Sequence, residues 1–486
     1  MQREAEQSKP ANLLYIWGIV FIYFTINAIA LFAVSGTADK DQAEQLILSQ
    51  AYQLGYSSKP PLYTYIVKAV FYITGPGLVP LLVLKAVLLS LFVGSIMALG
   101  KQFRFTTQQH LIALASLVFI PQIIWESQRD LTHSVLVTTI AAATLLQLVR
   151  TRCGPRAINY VVLGALIGLG LIGKYNYAMF LTALILAVVS VPQYRQVLAN
   201  RRILATLLIA LLIATPHMFW LASNPELATG SVRKLHIDAG SFTAGLPNAA
   251  VAALAFLTPL LIFSMLLVSG PVRRELPKKI KPADSRLLLN LLVATLIVVA
   301  TFVMATGAQQ IKDRWYQPLL FYVPLIIAML AMPAKARLNW YLGLGVGFAL
   351  LVSVALVGRT TFAGFFDKYS RPNIPYPDLL TSMADRNWKP EFILAETSLL
   401  GGNSRPVFPV AVIQVPSYQI DSGSMSGDGI VVCETPDCDN EKFRGWLDSN
   451  YAIDARLLKF KRIEMPYRYA PSQMASIYFS RVSLSP

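Results

Sequence analysis

The sequence predicts a polytopic α-helical membrane protein with a smaller mixed α/β domain at its carboxyl-terminal end. Of the 486 residues, 55% are hydrophobic and 14% are charged, whereas about a quarter of the residues in a soluble domain are charged. Many runs of about 17–22 residues contain no charge, and a helix of that length crosses a bilayer. After Gly358 the hydropathy falls, and short strand-like segments replace the long apolar runs.

The apolar runs predict about eleven transmembrane helices within residues 1–357. Met1–Pro10 is short and polar, and no small-residue cleavage site follows it. Leu13–Val34 is therefore expected to be a retained span rather than a removed signal peptide. The expected spans lie near residues 12–34, 77–99, 107–124, 133–150, 159–173, 175–191, 203–221, 249–269, 287–306, 318–333 and 339–357.

The distribution of charge orients the chain. Short loops between the apolar runs carry much of the formal net charge of +16. Such loops are typical of the cytoplasmic side of a membrane and do not indicate a nucleic acid partner. The basic clusters fall on alternate loops, namely Lys101/Arg104, Arg150/Arg152/Arg156, Arg195/Arg201/Arg202, Arg273/Arg274/Lys278/Lys279/Lys281 and Lys335/Arg337. With the amino terminus inside, about eleven spans place residues 358–486 outside the membrane.

Residues 358–486 are expected to form the mixed α/β domain. The predicted strands are Phe392–Ala395, Val410–Val415, Gly429–Cys433, Leu457–Arg462 and Ser476–Val482. A helix is predicted over Phe443–Ser449, and Gly401-Gly402-Asn403 is interpreted as a turn. Cys433 and Cys438 are close enough in sequence for a local disulfide in an oxidising compartment, and a zinc site is the alternative.

The other set of loops carries charged and aromatic polar side chains. These loops are Asp39–Lys59, Trp125–His133, Lys174–Tyr177, Ser223–Phe242 and Gly307–Gln317. Because alternate loops share one side of the membrane, all five are expected on the outer side. Their convergence predicts an active site that faces the periplasm or the cell exterior, with the loop of residues 36–62 at its centre.

The first of these loops holds three carboxylates, on Asp39, Asp41 and Glu44. At helical spacing, Asp41 and Glu44 fall on one face, and the apolar residues from Ala43 onward fall largely on another. This pattern predicts a helix on the membrane surface whose carboxylates face a water-filled cavity. The prolines that follow Lys59 then turn the chain sharply. A polar loop between two membrane helices is the alternative, and composition does not decide between the two.

A carboxylate near several cations at a membrane suits the transfer of a group from a lipid-linked phosphate. Asp41 is predicted to act as a general base towards an acceptor hydroxyl. The cations of Lys59, Lys174 and Arg314 are predicted to stabilise charge on the departing phosphate, with Lys312 beside them. The sequence contains no phosphate-binding glycine-rich loop and no dinucleotide fingerprint, so no bound nucleotide is expected.

Simpler structural roles compete with these assignments. Asp130 can accept backbone N–H bonds as a helix cap, and Lys174 can extend its ammonium group to the membrane interface. Trp220 can belong to an interfacial aromatic belt. The shared side of the loops favours one site over a set of unrelated structural roles.

The same residues carry a resemblance to a known family. Asp41 lies in Asp41-Gln42-Ala43-Glu44-Gln45, and Lys59-Pro60-Pro61-Leu62-Tyr63-Thr64-Tyr65 follows about twenty residues on. Further elements are Arg129-Asp130-Leu131-Thr132-His133, Lys174-Tyr175, Pro216-His217 through Trp220, and Arg314-Trp315. In these elements roughly the first 330 residues resemble the GT-C membrane glycosyltransferases. It is nearest to the protein O-mannosyltransferases and the lipid A aminoarabinose transferase.

The resemblance implies an inverting glycosyltransferase of the bacterial inner membrane. It implies transfer of a sugar from a polyprenyl-phosphate donor to lipid A, lipopolysaccharide or another envelope acceptor at the periplasmic face. Asp41 would be the catalytic base, and Lys59, Lys174 and Arg314 would contact the donor phosphate. Acceptor or supporting roles are implied for Asp130, His133, Glu44, Tyr63, Tyr175, His217 and Trp220. The sequence departs from the family pattern at Tyr65, where tryptophan is common, and at Gln42, where an acidic residue often follows the aspartate.

Two features stay open at this point. Asp39-Lys40-Asp41 is similar to the metal-binding DxD element of other GT-C enzymes, so a divalent ion held by Asp41, Glu44 or His133 is an alternative to a metal-free site. Within the branch, the nearest resemblance is to the galacturonosyl transferases of lipopolysaccharide. A cation-rich site accommodates a uronate carboxylate, but a phosphate alone accounts for the same cations.

Three other functions fit parts of the sequence. A protein O-glycosyltransferase with the same donor class would differ in its acceptor alone. A lipid or sugar transporter would carry internal repeats and charges near the bilayer midplane. Here the main charges within apolar stretches are Lys85 and Lys68, and the acidic groups lie at the ends of spans. A non-catalytic scaffold does not explain five polar loops on one side.

Overall fold

The structure is a computed structural model that describes residues 13–228, 237, 243–268, 281–331, 333–384, 389–418, 420 and 425–484. The chain forms two compact units. The helical unit comprises Met1–Phe24, Ser58–Pro60 and Ala86–Val352. The mixed unit comprises Thr25–Ser57, Pro61–Lys85 and Ser353–Pro486. The last boundary lies near the predicted one at residue 357, but the sequence did not predict that residues 25–57 and 61–85 would group with the carboxyl-terminal segment.

Helices account for most of the chain before residue 362. In chain order they are α1 (Leu13–Val34), α2 (Lys40–Leu48), α3 (Leu62–Thr74), α4 (Leu78–Gln102), α5 (Thr107–Val118), α6 (Ser127–Arg129), α7 (His133–Cys153), α8 (Ala157–Leu171), α9 (Tyr177–Ser190), α10 (Pro192–Ala199), α11 (Ile203–Ser223), α12 (Pro225–Ala228), α13 (Gly245–Val268), α14 (Pro282–Thr306), α15 (Gln317–Leu320), α16 (Val323–Leu330) and α17 (Lys335–Thr361). A π-helical segment, Gln122–Glu126, leads directly into α6.

Among the described residues, seven helices are long and apolar enough to cross a membrane, namely α1, α4, α7, α11, α13, α14 and α17. Two pairs of helices bend sharply at a short break. Thr107–Val118 with Gln122–Arg129 bends by 73°, and α9 with α10 bends by 111°. Counting each bent pair as one span gives nine. The count of about eleven therefore stays a prediction, and α3 and α8 are shorter apolar helices.

One expected span, residues 318–333, is not a single helix. The chain there forms α15 and α16 with a turn between them. Pro318 and Pro324 each lie in the first turn of their helix, where the missing N–H of proline does no harm. Because proline disrupts a helix that runs through it, the apolar pattern alone overestimated the length of this helix.

The mixed unit contains one five-stranded sheet. Its strands are β1 (Phe392–Ala395), β2 (Val412–Gln414), β3 (Gly427–Cys433), β4 (Lys461–Tyr467) and β5 (Ala470–Leu484). The strand order is β2-β1-β3-β5-β4, with β1 parallel to β2 and β3 and with β5 antiparallel to β3 and β4. All four residues of β1 are buried, as expected for a central parallel strand with both faces covered.

Besides α2 and α3, this unit contains four helices of the carboxyl-terminal segment, α18 (Ala363–Phe366), α19 (Tyr376–Met383), α20 (Ser398–Ser404) and α21 (Glu441–Tyr451). The predicted helix Phe443–Ser449 lies within α21, and β1 has the predicted bounds. The predicted strand Leu457–Arg462 has the wrong bounds, because Ala455–Leu457 is a 3₁₀ turn and β4 begins at Lys461. Cys433 and Cys438 are joined by a disulfide with a Cα–Cα distance of 5.4 Å, and both are buried.

The predicted turn at Gly401-Gly402-Asn403 is wrong, because these residues lie inside α20. The glycines serve close packing instead. A Cβ at position 401 would lie 2.7 Å from Val415 Cγ1, and one at position 402 would overlap the backbone of Ala43. Glycine is therefore required here because other chain segments approach the helix closely, not because the chain turns.

Candidate functional site

The carboxylate-rich loop forms α2, a short helix whose start is fixed by Asp39. The Asp39 side chain accepts a hydrogen bond from the Lys40 N–H at 2.8 Å, and the Asp39 N–H donates to Gln42 Oε1 at 2.9 Å. Asp39 and Gln42 thus form a reciprocal capping box. The helix is not the predicted surface helix, because Gln42 and every residue after it up to Leu48 are buried.

Two arginines hold the carboxylate of Asp39. Arg371 Nη1 lies 2.7 Å from Asp39 Oδ1, and Arg359 Nη2 lies 3.5 Å from Asp39 Oδ2. Burial alone would raise the pKa of Asp39, but the hydrogen bonds from Arg371 and Lys40 and the charge of Arg359 hold that pKa below its ordinary value. Asp39 is therefore an anchoring residue of the loop.

Paired hydrogen bonds fix the chain on both sides of α2. The amide of Asn403 accepts from the Ala38 N–H at 2.8 Å and donates to the Ala38 carbonyl at 3.2 Å. The amide of Gln50 accepts from the Ile413 N–H at 2.8 Å and donates to the Ile413 carbonyl at 2.9 Å. Gln50 thereby pairs with the edge strand β2 as a neighbouring strand would. These contacts place the loop within the mixed unit.

Asp41 and Glu44 lie one turn apart on α2, as predicted from their spacing. Asp41 is half-buried, whereas Glu44 is buried and its Oε2 accepts a hydrogen bond of 2.7 Å from the Tyr418 hydroxyl. The buried Tyr63 lies within electrostatic range of Asp41. A neighbouring contact joins α2 to α3, since Thr64 Oγ1 donates to Gln45 Oε1 at 3.0 Å. Of the predicted residues, Asp41, Glu44 and Tyr63 therefore come together.

A second cluster, in the helical unit, contains three predicted residues. The ammonium groups of Lys59 and Lys174 both lie within electrostatic range of the His133 ring, which also hydrogen-bonds to the backbone of Gly173. Lys174 Nζ donates to Ser134 Oγ at 2.5 Å. The structure thus brings together two of the predicted phosphate-binding lysines and His133, as the sequence predicted for loops that share one side.

This cluster lies at the amino-terminal end of α7. Thr132 is the N-cap residue, but its side chain makes no capping hydrogen bond. Its hydroxyl is buried and has no hydrogen-bond partner among the described residues. Asp130 is buried two residues earlier and is not at the N-cap position where a capping role would place it. The first N–H groups of a helix have no partner within the helix and favour anions, so the start of α7 adds donors to the two lysines.

Hydrogen bonds draw three loops of the helical unit together. Gln122 Nε2 donates to Asp313 Oδ2 at 2.6 Å, and Asn176 Nδ2 donates to the Trp315 carbonyl at 3.0 Å. Gln317 Nε2 donates to Ser127 Oγ at 2.8 Å. The segments near residues 122–130, 174–177 and 313–317 therefore meet, which accords with their predicted convergence. Lys312 and Arg314 in this region are exposed.

Three aromatic rings stack beside Lys174. The rings of Tyr175 and His217 are 5.9 Å apart at an interplanar angle of 16°, and those of His217 and Trp220 are 5.7 Å apart at 15°. His217 is buried, and Tyr175 and Trp220 are half-buried. Tyr175, His217 and Trp220, which were predicted separately, thus form one aromatic stack. Most of the predicted loop Ser223–Phe242 and the basic residues of 273–279 lie outside the described residues.

Comparison with known proteins assigns the chain to a family. Residues 58–220 match the family described as dolichyl-phosphate-mannose-protein mannosyltransferase. The chain is 30% identical over 437 residues to the lipopolysaccharide core galacturonosyltransferase RgtB of Rhizobium johnstonii, with 85% of this chain and 86% of RgtB covered. The chain belongs to the same glycosyltransferase family as RgtB. It is also 29% identical over 429 residues to RgtA of the same organism, with 86% of this chain and 84% of RgtA covered.

Solved structures place this glycosyltransferase in the GT-C fold. ArnT from Cupriavidus metallidurans bound to undecaprenyl phosphate superposes with a TM-score of 0.58 at 13% identity, covering 95% of this chain and 98% of ArnT. The apo form of ArnT gives a TM-score of 0.55 at 12% identity with the same coverage. The glycosyltransferase is thus a multi-pass membrane protein of this fold with a carboxyl-terminal sheet domain.

For the alternative of a site with a divalent ion, the candidate ligands are Asp41, Glu44 and His133. Within the described ranges, no group of three or more His, Cys, Asp or Glu side chains is placed to hold a metal ion. Asp41 and Glu44 supply two carboxylates on one helix face, and His133 belongs to the helical unit. A divalent ion at these residues therefore stays an alternative to a metal-free site.

Sequence reasoning missed several residues that shape these clusters. Tyr418, Arg371 and Asn403 contact the first loop from more than 300 positions away, and no local pattern reports such pairs. Thr132 carried a weak signal, because it directly precedes a long apolar run and is a residue type common at N-caps.

Proposed function

We propose that this glycosyltransferase is an inverting enzyme that moves galacturonic acid from a polyprenyl-phosphate donor to a lipopolysaccharide core acceptor. The observation that carries the proposal is its similarity along most of its length to RgtA and RgtB, which are lipopolysaccharide core galacturonosyltransferases. A polyprenyl donor is supported by the shared fold of ArnT, which was crystallised with undecaprenyl phosphate. The same fold suits a lipid-linked donor because the donor chain can lie among membrane helices.

The donor phosphate is proposed to bind at the start of α7. Lys59 and Lys174 supply two positive charges near His133, and the buried Thr132 hydroxyl and the first N–H groups of the helix supply further donors. Charge on phosphate oxygens increases as the bond to the sugar breaks, so fixed cations lower the energy of that transition state. Lys312 and Arg314 are exposed on a neighbouring loop and are proposed as weaker phosphate contacts.

Asp41 is proposed as the general base. An acceptor hydroxyl oxygen attacks the anomeric carbon, the bond from that carbon to the phosphate oxygen breaks, and polyprenyl phosphate leaves with the electron pair. Asp41 takes the hydroxyl proton. Attack opposite the leaving group inverts the configuration at the anomeric carbon. Acceptor or supporting roles remain proposed for the other predicted residues: Asp130, His133, Glu44, Tyr63, Tyr175, His217 and Trp220.

The proposed location of this reaction is the periplasmic face of the bacterial inner membrane. The basic loops support this orientation, since cytoplasmic loops carry an excess of Lys and Arg. Two of those loops meet in the structure, where Arg202 Nη1 donates to the Pro155 carbonyl at 2.9 Å. A second contact lies in the same unit, where Arg152 pairs with the buried Asp284 at 3.0 Å.

The test compares lipopolysaccharide from four strains of the native host: wild type, a deletion, and the deletion carrying either the wild-type gene or Asp41→Asn. Mass spectrometry is expected to show a uronic acid lost from the core in the deletion and in the Asp41→Asn strain, and restored by the wild-type gene. Loss of a sugar from secreted proteins instead would establish a protein O-glycosyltransferase. Unchanged glycans in every strain would overturn the proposal and favour a transporter.

A further inference from the structure

A tyrosine near the carboxyl-terminal sheet contacts the acidic face of α2. The Tyr418 hydroxyl donates to Glu44 Oε2 at 2.7 Å. Glu44 is 2% exposed, and it follows Asp41 by one helical turn. A carboxylate buried to this extent needs donors around it, and a carboxylate has room for about four hydrogen bonds. The bond from Tyr418 is one of the interactions that orient Glu44.

A series of contacts through Val415 and α20 connects Tyr418 to α2 and fixes its position relative to that helix. The Tyr418 N–H donates to the Val415 carbonyl at 3.3 Å, and these two residues form an isolated β-bridge. Val415 packs on Gly401 of α20, and the adjacent Gly402 packs on the backbone of Ala43. Ala43 directly precedes Glu44 in α2, and Glu44 accepts the hydrogen bond from Tyr418. The close packing at Gly401 and Gly402 therefore sets the distance between the Tyr418 hydroxyl and the Glu44 carboxylate.

The phenol is also held in its donor form. Burial raises the pKa of Tyr418, and the charges of Glu44 and Asp41 raise it further. Tyr418 therefore stays protonated over the physiological pH range. The hydroxyl therefore lies within electrostatic range of Asp41 and donates a hydrogen bond to Glu44.

We infer that Tyr418 is a positioning residue that orients the Glu44 carboxylate to hydrogen-bond hydroxyl groups of the acceptor sugar. The inference rests on the proposed function, in which Asp41 deprotonates one acceptor hydroxyl. Carboxylates accept hydrogen bonds from hydroxyl groups strongly when their orientation is fixed. Glu44 on the same face of α2 as Asp41 would then bind hydroxyls next to the reacting one. The carboxyl-terminal segment would in this way contribute to acceptor recognition.

The mixed unit offers a matched control. Tyr376 is a buried tyrosine whose hydroxyl also donates to a glutamate, Glu434. Glu434 follows β3, and neither residue of this pair belongs to the proposed site. Tyr376→Phe and Tyr418→Phe each remove one hydroxyl from a Tyr–Glu pair in the same unit. A difference in KM between the two variants therefore reflects the location of the lost hydroxyl and not the loss of a Tyr–Glu hydrogen bond in general.

The experiment measures steady-state transfer by the purified full-length enzyme from polyprenyl-phosphate galacturonic acid to lipopolysaccharide core. Tyr418→Phe is expected to raise the KM for the acceptor about tenfold, as for the loss of one hydrogen bond to a charged group. The KM for the donor is expected to stay within about twofold of wild type, because the donor phosphate contacts are intact. Tyr376→Phe is expected to lower Tm without changing either KM.

A second comparison tests whether Tyr418 acts through Glu44. In a Glu44→Gln background, Tyr418→Phe is expected to change the acceptor KM by less than about twofold, since coupled residues are not additive. Equal acceptor KM values for Tyr418→Phe and Tyr376→Phe, or a full effect in the Glu44→Gln background, would overturn the inference. Absence of any transfer by the wild-type enzyme would instead contradict the proposed function.

Discussion

Gly402 of α20 lies directly against the backbone of Ala43 of α2, with no room for a Cβ atom. The helix that carries Asp41 is therefore positioned by a glycine more than 350 residues further along the chain. Both residues belong to the mixed unit. The position of the proposed base is thus determined by the packing of this unit as well as by the first loop itself.

Gly402→Ala is expected to destabilise the mixed unit and to slow transfer. The added methyl group must push α2 away from α20, and overpacking of this kind costs about 1–3 kcal/mol. Gly445→Ala is the matched control, because a Cβ at this position of α21 meets nothing within 4 Å. That substitution is expected to be neutral or slightly stabilising, as alanine favours helices over glycine. Thermal unfolding and transfer rates check both variants, and equal Tm values would contradict the packing argument.

Asp41→Asn is expected to lower kcat by about 10²–10⁴-fold, the usual contribution of a general base. Asparagine keeps the size of the side chain, so the Tm is expected to stay near that of wild type. Asp39→Asn is the informative comparison two residues away. Because Asp39 pairs with Arg359 and Arg371, its replacement is expected to lower Tm more than Asp41→Asn does. Normal turnover in Asp41→Asn would rule out its role as the base.

The ion pairs of Asp39 also predict an acid-dependent loss of stability. The pKa of Asp39 is lower in the folded protein than its ordinary value, which is about 3.9 in an unfolded chain. Its stabilising contribution is therefore full above that value and is lost as pH falls through the lower folded pKa. Denaturation measured from neutral pH down to strongly acidic pH is expected to show this loss in wild type. If the stability of wild type and of Asp39→Asn fell in the same way with decreasing pH, the predicted contribution of Asp39 would be contradicted.

The sequence predicted some parts of this arrangement well and others poorly, for physical reasons. Apolar periodicity located the long helices, and the buried run Phe392–Ala395 located β1 with the observed bounds. Glycine at 401 and 402 was interpreted as a turn because its packing neighbours, Val415 and Ala43, are not visible in the local sequence. Contacts between residues far apart in the chain cannot be inferred from the local pattern of a single sequence.

The candidate site shows the same contrast. Loop residues on one side of the membrane were predicted to converge, and Lys59, Lys174 and His133 do so in the helical unit. Asp39 and Asp41 looked equivalent in sequence, but two arginines distinguish them in the structure. Residue type and spacing therefore predicted which residues carry the proposed chemistry, whereas the partner of each carboxylate depended on tertiary packing.

Lys174→Gln is expected to weaken binding of undecaprenyl phosphate more than Arg314→Ala does. Lys174 is half-buried, donates to Ser134 and lies near Lys59 and His133, whereas Arg314 is exposed and its charge is screened by solvent. Affinity can be measured for the purified enzyme by quenching of intrinsic fluorescence. A larger loss for Arg314→Ala would shift the phosphate site from the start of α7 towards the loop near residue 314.

The disulfide between Cys433 and Cys438 predicts a redox-dependent stability of the mixed unit. It closes a short loop after β3, and the chain-entropy relation gives roughly 2 kcal/mol for a loop of this length. The same loop donates to Glu396, through the N–H groups of Glu434 at 2.8 Å and Thr435 at 3.1 Å. Cys433→Ser is therefore expected to lower Tm, and a reductant is expected to lower the wild-type Tm by a similar amount. A reductant should not change the Tm of Cys433→Ser. If it lowered that Tm, the effect of the reductant on stability would not arise from the Cys433–Cys438 disulfide.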